Sequence, residues 1–225
     1  MTAEFLWGGR ARPTRGPKPA LTLDGIAGAA IAVADAEGLG AVSMQRVAAE
    51  LGFTKMSLYR YLPGKAELIA VMVERALGRP PALTSPGWRP GLEEWSRLLF
   101  GRYLAHPWSI EATVGRRPLG PHEIGWMECA LARLEGLPLR GAERLDTIAV
   151  LAGHGRTLAQ QAAAMLGETE MIAAMAEILR LHGERFPHLT ATMADAAGEE
   201  GAGQAFEYGL ARILDGLEVL ISSRR

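Results

Sequence analysis

The chain has 225 residues, 48% of them hydrophobic and 22% charged, which is enough to build one large domain or two smaller ones with hydrophobic cores. Its 24 Lys and Arg residues nearly balance 25 Asp and Glu residues, which argues against a histone-like polycation and against a long acidic tail. The single cysteine, Cys129, excludes an internal disulfide and a four-thiolate metal site, and no apolar run is long enough to span a bilayer.

Residues 1–20 are rich in Gly, Pro and Arg and show little periodicity, which predicts a flexible basic arm. The basic residues of this arm follow its short apolar patch, the reverse of a secretory signal, so we expect the chain to remain in the cytoplasm. Such an arm can follow a phosphate backbone or enter a minor groove. It can equally make no contact, and the sequence leaves both possibilities open.

Helical periodicity begins directly after the arm. Apolar residues from Leu23 to Ala34 recur at steps of three and four, with Thr22 in the N-cap position and Gly38 at the end. This pattern predicts a first helix of about four turns with one buried face.

Two short helices and a longer one follow the first. SMQRVAAELG has Ser43 as N-cap and ends at Gly52, and KMSLYRYL has Thr54 as N-cap and ends before Pro63. KAELIAVMVERALG then predicts a longer amphipathic helix. Two short helices around a tight turn that contains glycine are typical of a helix-turn-helix, so we assign residues 21–78 to a three-helix DNA-binding domain of this kind.

Residues 79–90 concentrate proline and glycine, which predicts a linker to a larger second domain over residues 91–225. Helices are predicted in that domain near 91–105, 121–135, 141–166, 168–183 and 200–222, with Pro or Gly between them. No segment sustains the alternation of a strand, so the predicted fold class is all-α.

The helix within KMSLYRYL has a face that its own domain does not need. Leu58 and Leu62 are four residues apart and should point inward, which leaves Lys55, Met56 and Tyr59 outside. Exposed Met and Tyr side chains at such positions can contact thymine methyls, and hydroxyl groups can reach phosphates.

Residues 21–77 resemble the DNA-binding domain of the TetR family of bacterial repressors. The resemblance rests on the small-residue first helix that ends in EG, the VAAELG run, the LY pair of KMSLYRYL, and the spacing of Tyr61 and Lys65. It implies a homodimer that places two reading helices in successive major grooves of a palindrome, about 34 to 36 Å apart.

The resemblance also assigns roles to single positions. It implies base reading by Gln45 and Lys55, methyl and backbone contacts by Met56 and Tyr59, and phosphate contacts by Ser43, Ser57 and Lys65. Arg46, Thr54, Arg60 and Tyr61 complete the predicted DNA-binding set. Arg46 has an alternative, because a half-turn rotation of its helix would point it at solvent.

Aromatic residues of the second domain are candidates for a small-molecule pocket. The sequence places several large side chains close together along the chain, and such a cluster can line a site for a flat apolar ligand. These candidates are Trp95, Phe100, Tyr103, Trp108, Trp126 and Met127. Ordinary core packing of the same residues is the alternative interpretation.

Residues 106–137 and 206–220 resemble the ligand domain of the tetracycline-repressor subgroup. The resemblance implies a four-helix dimer core made by helices near 141–166 and 200–222. It aligns Thr113 with a magnesium-ligating histidine, which argues against tetracycline with Mg²⁺, and aligns Arg117 with a loop that moves on induction. The apolar stripe of the last helix, Phe206 to Ile221, supports this interface, and a role inside one subunit is its alternative.

The five histidines all lie in the second domain and lack the short spacing of a metal site, so no metal or other cofactor is predicted. His154 is instead a candidate polar group of the ligand pocket or the dimer face. GHGRTL lacks the preceding strand and third glycine of a phosphate loop, which argues against an enzyme. The predicted protein is therefore a ligand-responsive transcriptional regulator, and a helical enzyme or a protein-binding adaptor with a DNA-binding-like module is the alternative.

Overall fold

The computed structural model describes residues 4–7, 21–114, 117–164, 168–196 and 204–224. Within these ranges the regular elements are helices, and the predicted all-α fold class is confirmed. The helices are α1 (Glu4–Trp7), α2 (Leu23–Glu37), α3 (Met44–Glu50), α4 (Lys55–Tyr59), α5 (Lys65–Leu77), α6 (Trp88–Ala105), α7 (Trp108–Ala112), α8 (Pro121–Arg133), α9 (Gly141–Ala164), α10 (Glu168–His182), α11 (Pro187–Ala196) and α12 (Ala205–Ser222).

Two of the three predicted N-caps form. The hydroxyl oxygen of Thr22 accepts from the backbone N–H of Gly25 at 3.0 Å, and that of Ser43 accepts from Arg46 N–H at 3.1 Å. Thr54 occupies the predicted N-cap position of α4, but its hydroxyl makes no cap bond and lies 3.1 Å from the Ser57 hydroxyl. These short hydroxyl side chains satisfy the first free amides of α2 and α3.

Helices α2 to α5 pack around one apolar core. Ile26, Leu58, Leu62, Leu68 and Met72 are fully buried in it. Because α4 is only five residues long, its position depends on the burial of Leu58 within it and of Leu62 just after it against the longer helices. The core therefore fixes the orientation of α4 on the surface of the domain.

The second half of the chain begins its first helix earlier than predicted. Helix α6 starts at Trp88, inside the segment 79–90 that the sequence analysis assigned to a linker. Pro90 is compatible with this start because amides in the first turn of a helix have no intrahelical partner. Helices α7 and α11 were also missed, since each is short and lies next to a proline.

Residues 4–7 form a helical turn, so the prediction of an arm without folded structure is wrong for these four residues. The indole N–H of Trp7 donates to the backbone carbonyl of Leu119 at 3.0 Å, and Phe5 and Leu6 pack against the core. The basic residues Arg10 to Lys18 of the predicted arm lie outside the described residues. No helix in the described ranges is long and apolar enough to cross a membrane.

Candidate functional site

The predicted inward and outward faces of α4 are confirmed. Leu58 is fully buried, whereas Met56 is 65% exposed and Tyr59 is 43% exposed. Lys55 is exposed beside them, and Gln45 is exposed on the neighbouring helix α3. A pair of large uncharged side chains on a solvent-facing helix adds nothing to the core, so this surface is available to a partner.

Cations flank this surface. The described part of the chain places no carboxylate in ion-pair range of Lys55, Arg60 or Lys65, and all three side chains are exposed. The hydroxyl oxygen of Ser43 is used as an acceptor at the start of α3, which leaves its proton able to donate to a phosphate. We call Gln45, Lys55, Met56, Tyr59 and Lys65 the reading face.

Two predicted DNA-binding residues are engaged inside their own domain. The Arg46 guanidinium pairs with Glu50 at 2.6 Å and with Glu37 at 2.8 Å, and these carboxylates raise the pKa of Arg46. The Tyr61 hydroxyl donates to the backbone carbonyl of Leu21 at 2.8 Å. Arg46 therefore joins α3 to the end of α2, and Tyr61 joins the residues after α4 to those before α2. Neither side chain is free to contact a ligand in this conformation.

A polar contact that the sequence analysis missed joins α2 to the second half of the chain. The carboxylate oxygen Oδ1 of Asp35 accepts from the indole N–H of Trp108 at 2.6 Å and lies 2.9 Å from Nδ1 of His106. Trp108 is 6% exposed, so its indole N–H depends on this partner. Trp108 was predicted to line a ligand pocket, and the structure places it at the junction of the two halves.

A second contact of the same kind joins α5 to α8. The side-chain oxygens of Glu74, a residue 7% exposed, accept from the backbone N–H groups of His122 at 2.8 Å and Glu123 at 2.9 Å. A carboxylate at the N-terminus of a helix, here that of α8, is stabilised by the free backbone amides and by the helix dipole. Gly120 makes room for it, since a Cβ there would overlap the Glu74 carboxyl group. The signal in the sequence for this role was a single Glu, Glu74, within the apolar run of α5.

Arg117 lies in the segment between α7 and α8 and is held from both sides. Its guanidinium pairs with both carboxylate oxygens of Glu123, at 2.6 Å for Nη1, and its Nε donates to the backbone carbonyl of Ala112 at 3.0 Å. Thr113 donates its hydroxyl to the carbonyl of Ile110 at 2.9 Å, which closes the end of α7. These bonds fix the side chains of Thr113 and Arg117 next to the first turn of α8.

The tryptophans of the predicted pocket are core residues with satisfied indole groups. Trp95 donates to the carbonyl of Trp126 at 2.8 Å, and Trp126 donates to the carbonyl of Gly78 at 3.2 Å. A hollow of about 320 Å³ between α5 and α7 is lined by neither tryptophan, and Arg117 is the one predicted ligand-binding residue in its lining. The alternative of ordinary core packing therefore describes Trp95 and Trp126 in this conformation.

Three aromatic rings join α6, α9 and α12. Phe100 and Phe206 stack with centroids 4.1 Å apart, and His154 stacks on Phe206 at 5.5 Å. His154 Nε2 lies 2.9 Å from the Phe206 carbonyl, and the absence of a side chain at Gly209 makes space for the imidazole. Of the other predicted pocket residues, Tyr103 is buried and Met127 is exposed on the outside of α8.

The predicted dimer stripe of α12 is used inside the subunit. Phe206, Leu210, Leu214, Leu217 and Ile221 are all less than 10% exposed, which is the alternative that the sequence left open. The stripe faces inward because α6 and α9 both pack against α12. Other apolar residues of α9 and α12 face outward, and these are Leu145, Val150, Tyr208 and Val219.

Comparisons with protein families match both halves of the chain. Residues 26–72 match the family described as bacterial regulatory proteins, tetR family, and residues 80–221 match the tetracyclin repressor-like C-terminal domain. The second match alone covers more than half of the chain.

Individual proteins are similar over nearly the whole length. The HTH-type transcriptional repressor DrrR1 of Streptomyces coeruleorubidus is 39% identical over 237 aligned positions, which cover 100% of this chain and 87% of DrrR1. ActR of Streptomyces coelicolor, solved in complex with actinorhodin, is 27% identical with a TM-score of 0.75, covering 91% of this chain and 98% of ActR. ActR in complex with (S)-DNPA has a TM-score of 0.74 at 26% identity, covering 89% and 98%.

Proposed function

Since this chain belongs to the TetR family of bacterial regulators, we propose that it leaves a palindromic operator when a small apolar molecule binds within residues 91–225. The protein is a ligand-responsive, DNA-binding transcriptional repressor, and its partners are operator DNA, an effector and a second copy of itself. What remains to be assigned is which residues contact the DNA and how the effector reaches them.

The reading face is our proposed contact with bases and phosphates. Gln45 and Lys55 carry donors suited to base edges in the major groove, and Lys65 carries an exposed charge suited to phosphate. Met56 and Tyr59 supply apolar surface for thymine methyls. Arg46 and Tyr61 have intramolecular partners, so we assign them to the support of this face.

The observation that carries the proposed switch is the pair of contacts at Asp35 and Glu74. Each joins a helix of the DNA-binding half to the α6–α8 region, where Trp108 and the first turn of α8 are bound. An effector that moves α7 or α8 must therefore move α2 and α5 with it or break one of these polar contacts. Coupling of this kind is reciprocal and typically amounts to about 1–3 kcal/mol.

We propose that α9 and α12 form the dimer interface through their outward apolar residues. Leu145, Val150, Tyr208 and Val219 are each at least 50% exposed on these two helices. Exposed apolar side chains on adjacent helices are typical of a surface that a second subunit covers. A rotation of this interface would change the distance between the two reading faces, which the groove spacing fixes at about 34 to 36 Å.

Operator binding implies that the protein acts in the cytoplasm and has no need of catalytic chemistry. The thiol of Cys129 fits this view, because burial raises its pKa and so disfavours the nucleophilic thiolate. Thr113 donates its hydroxyl to a backbone carbonyl and is a poor ligand for Mg²⁺, so we do not propose a tetracycline–magnesium complex as the effector.

Promoter fragments from the source genome test the proposal directly. We expect the purified dimer to select a fragment with an inverted repeat and to lose affinity steeply as salt rises, by about 0.9 log units per phosphate contact for each log unit of salt. Actinorhodin and (S)-DNPA, the molecules with which ActR was solved, are the first candidates for release of that fragment. Binding of no fragment, or binding as a monomer, would contradict the proposal.

A further inference from the structure

The first helical turn of the chain is bound to a segment far away in the sequence. The indole N–H of Trp7 donates to the backbone carbonyl of Leu119 at 3.0 Å, across 112 positions. Phe5 and Leu6 are half-buried and pack against the hydrophobic core. Because a helix of four residues is too short to be stable alone, these tertiary contacts hold α1 in place. We call Phe5, Leu6 and Trp7 the N-terminal strap.

The strap acts on the peptide that leads into α8. Leu119 directly precedes Gly120, and the planar peptide bond places the Leu119 carbonyl and the Gly120 nitrogen in one rigid unit. Gly120 lies against the Glu74 carboxyl group, where a Cβ would overlap it. The bond from Trp7 therefore orients the peptide that adjoins the Glu74 contact.

Leu119 has little else to hold it. Its side chain is 46% exposed, so burial contributes little to its position. Arg117 bonds to the carbonyl of Ala112 and to the carboxylate of Glu123, and neither bond involves Leu119. Among the described residues, Trp7 is the side chain that donates to the Leu119 carbonyl. The position of this peptide therefore depends on the strap.

The Glu74 contact is sensitive to the same position. The Glu74 carboxylate accepts from the backbone N–H groups of His122 at 2.8 Å and Glu123 at 2.9 Å, only three and four residues after Leu119. Hydrogen bonds weaken steeply when their distance or angle changes. A carboxylate that is 7% exposed also loses free energy when its donors leave. A shift of the Leu119 peptide should therefore break the Glu74 contact as well.

We propose that the N-terminal strap restrains α8, because Trp7 holds the peptide between Leu119 and Gly120 in the position that the Glu74 contact requires. Helix α8 then leaves α5 only when Trp7 is released, and the strap opposes the movement by which an effector acts on the DNA-binding half. The coupling is reciprocal, so each of the two contacts is stronger when the other is formed. This inference rests on the proposed function in taking a movement of α8 as part of the switch.

Hydrogen exchange in the full-length dimer without DNA measures this coupling. Trp7→Phe keeps an aromatic ring and removes the donor. Exchange at the His122 and Glu123 amides should become about threefold to tenfold faster, as loss of one neutral hydrogen bond implies. In the Glu74→Ala background these amides have already lost their acceptor, so Trp7→Phe should change their exchange by less than about twofold.

The indole N–H of Trp7 provides the reciprocal measurement. Glu74→Ala should make its exchange about threefold to tenfold faster, since coupling acts equally in both directions. Trp88→Phe is the matched control, because it makes the same substitution at a half-buried residue at the start of α6 whose indole has no hydrogen-bond acceptor among the described residues. It should change exchange at His122 and Glu123 by less than about twofold.

Two results would overturn the proposal. One is an equal effect of Trp7→Phe and Trp88→Phe on the His122 and Glu123 amides. The other is an effect of Trp7→Phe that is as large in the Glu74→Ala background as in the unmodified protein, since additive effects mean that the two contacts are independent.

The operator fragment then links the strap to DNA binding. Bound DNA should slow exchange of the Trp7 indole at least about threefold, because the operator favours the arrangement in which α8 is held. Unchanged exchange in the complex would overturn the role of the strap in the switch. Coupled exchange in a protein that binds no fragment would contradict the proposed function alone, and additive exchange together with effector-dependent release would contradict the strap alone.

Discussion

The contact between Asp35 and Trp108 offers the sharpest test of how the two halves communicate. Asp35→Ala leaves the buried indole N–H of Trp108 without an acceptor, and Trp108→Phe removes the donor. A hydrogen bond to a charged acceptor contributes about 1.5–3 kcal/mol to the free energy of unfolding. Asp35→Ala should cost about that amount, and the cost should be smaller when residue 108 is already Phe.

A double-mutant cycle measures this coupling. The free energies of unfolding of the unmodified protein, both single variants and the double variant are compared in urea at one protein concentration, because a dimer's stability depends on concentration. We expect an interaction energy of about 1–2 kcal/mol between positions 35 and 108, less than the whole bond because His106 also contacts the carboxylate. The conservative variant Asp35→Asn keeps an acceptor oxygen, so its free energy of unfolding should fall less than that of Asp35→Ala.

The same four proteins are then titrated with operator DNA in the presence and absence of the effector. If Asp35 transmits the switch, Asp35→Ala should reduce the effector's influence on operator affinity and leave effector binding to the free protein within about twofold. Additive single effects, within about 0.5 kcal/mol, together with unchanged effector response, would refute the reasoning.

Three other expectations concern single residues. Glu74→Ala removes the acceptor for two amides of α8 and should lower the free energy of unfolding by about 1–2 kcal/mol in the same urea assay, and a loss below about 0.3 kcal/mol would contradict this role. Lys65→Ala should lower the slope of log affinity against log salt by about 0.9, whereas Tyr61→Phe should leave that slope unchanged and act on stability, and the reverse result would exchange their assignments. Hydrogen bonds from Ser85 and from the adjacent backbone lower the pKa of Glu94 from its usual 4.5 to about 2. The stabilisation from Glu94 should therefore be complete above pH 4.5 and disappear as the pH falls toward 2. NMR titration of the carboxyl group measures its midpoint, and a midpoint near 4.5 would contradict this expectation.

Local chemistry explains why the DNA-binding half was predictable. The caps at Thr22 and Ser43 depend on residues only three positions away, and the inward positions of Leu58 and Leu62 follow from helical spacing. Thr54 also stands at the predicted N-cap position, but its hydroxyl lies against the Ser57 hydroxyl and makes no bond to the backbone amides of α4. Ser57 is only three residues away, but residue spacing alone does not predict whether a hydroxyl bonds to a backbone amide or lies against another hydroxyl.

The aromatic residues of the second half were predictable as a group and not one by one. Their density predicted a cluster, and Trp95 and Trp126 do contact one another, with ring centroids 6.4 Å apart. The bonding partner of each indole comes from a part of the chain more than 30 residues away. The local sequence therefore does not show whether an indole faces a pocket or bonds to a backbone carbonyl. The stripe of α12 carries the same ambiguity, because an apolar face fits a partner subunit and its own core equally well.

Local sequence patterns predict the helical class, most helix bounds and the outward position of Lys55, Met56 and Tyr59, because capping, periodicity and glycine breaks act over a few residues. Long-range packing determines that Asp35 accepts the indole N–H of Trp108 and that Glu74 holds the first turn of α8. Each of these depends on which charged or polar groups meet when distant helices pack, and burial then makes the presence or absence of a partner count.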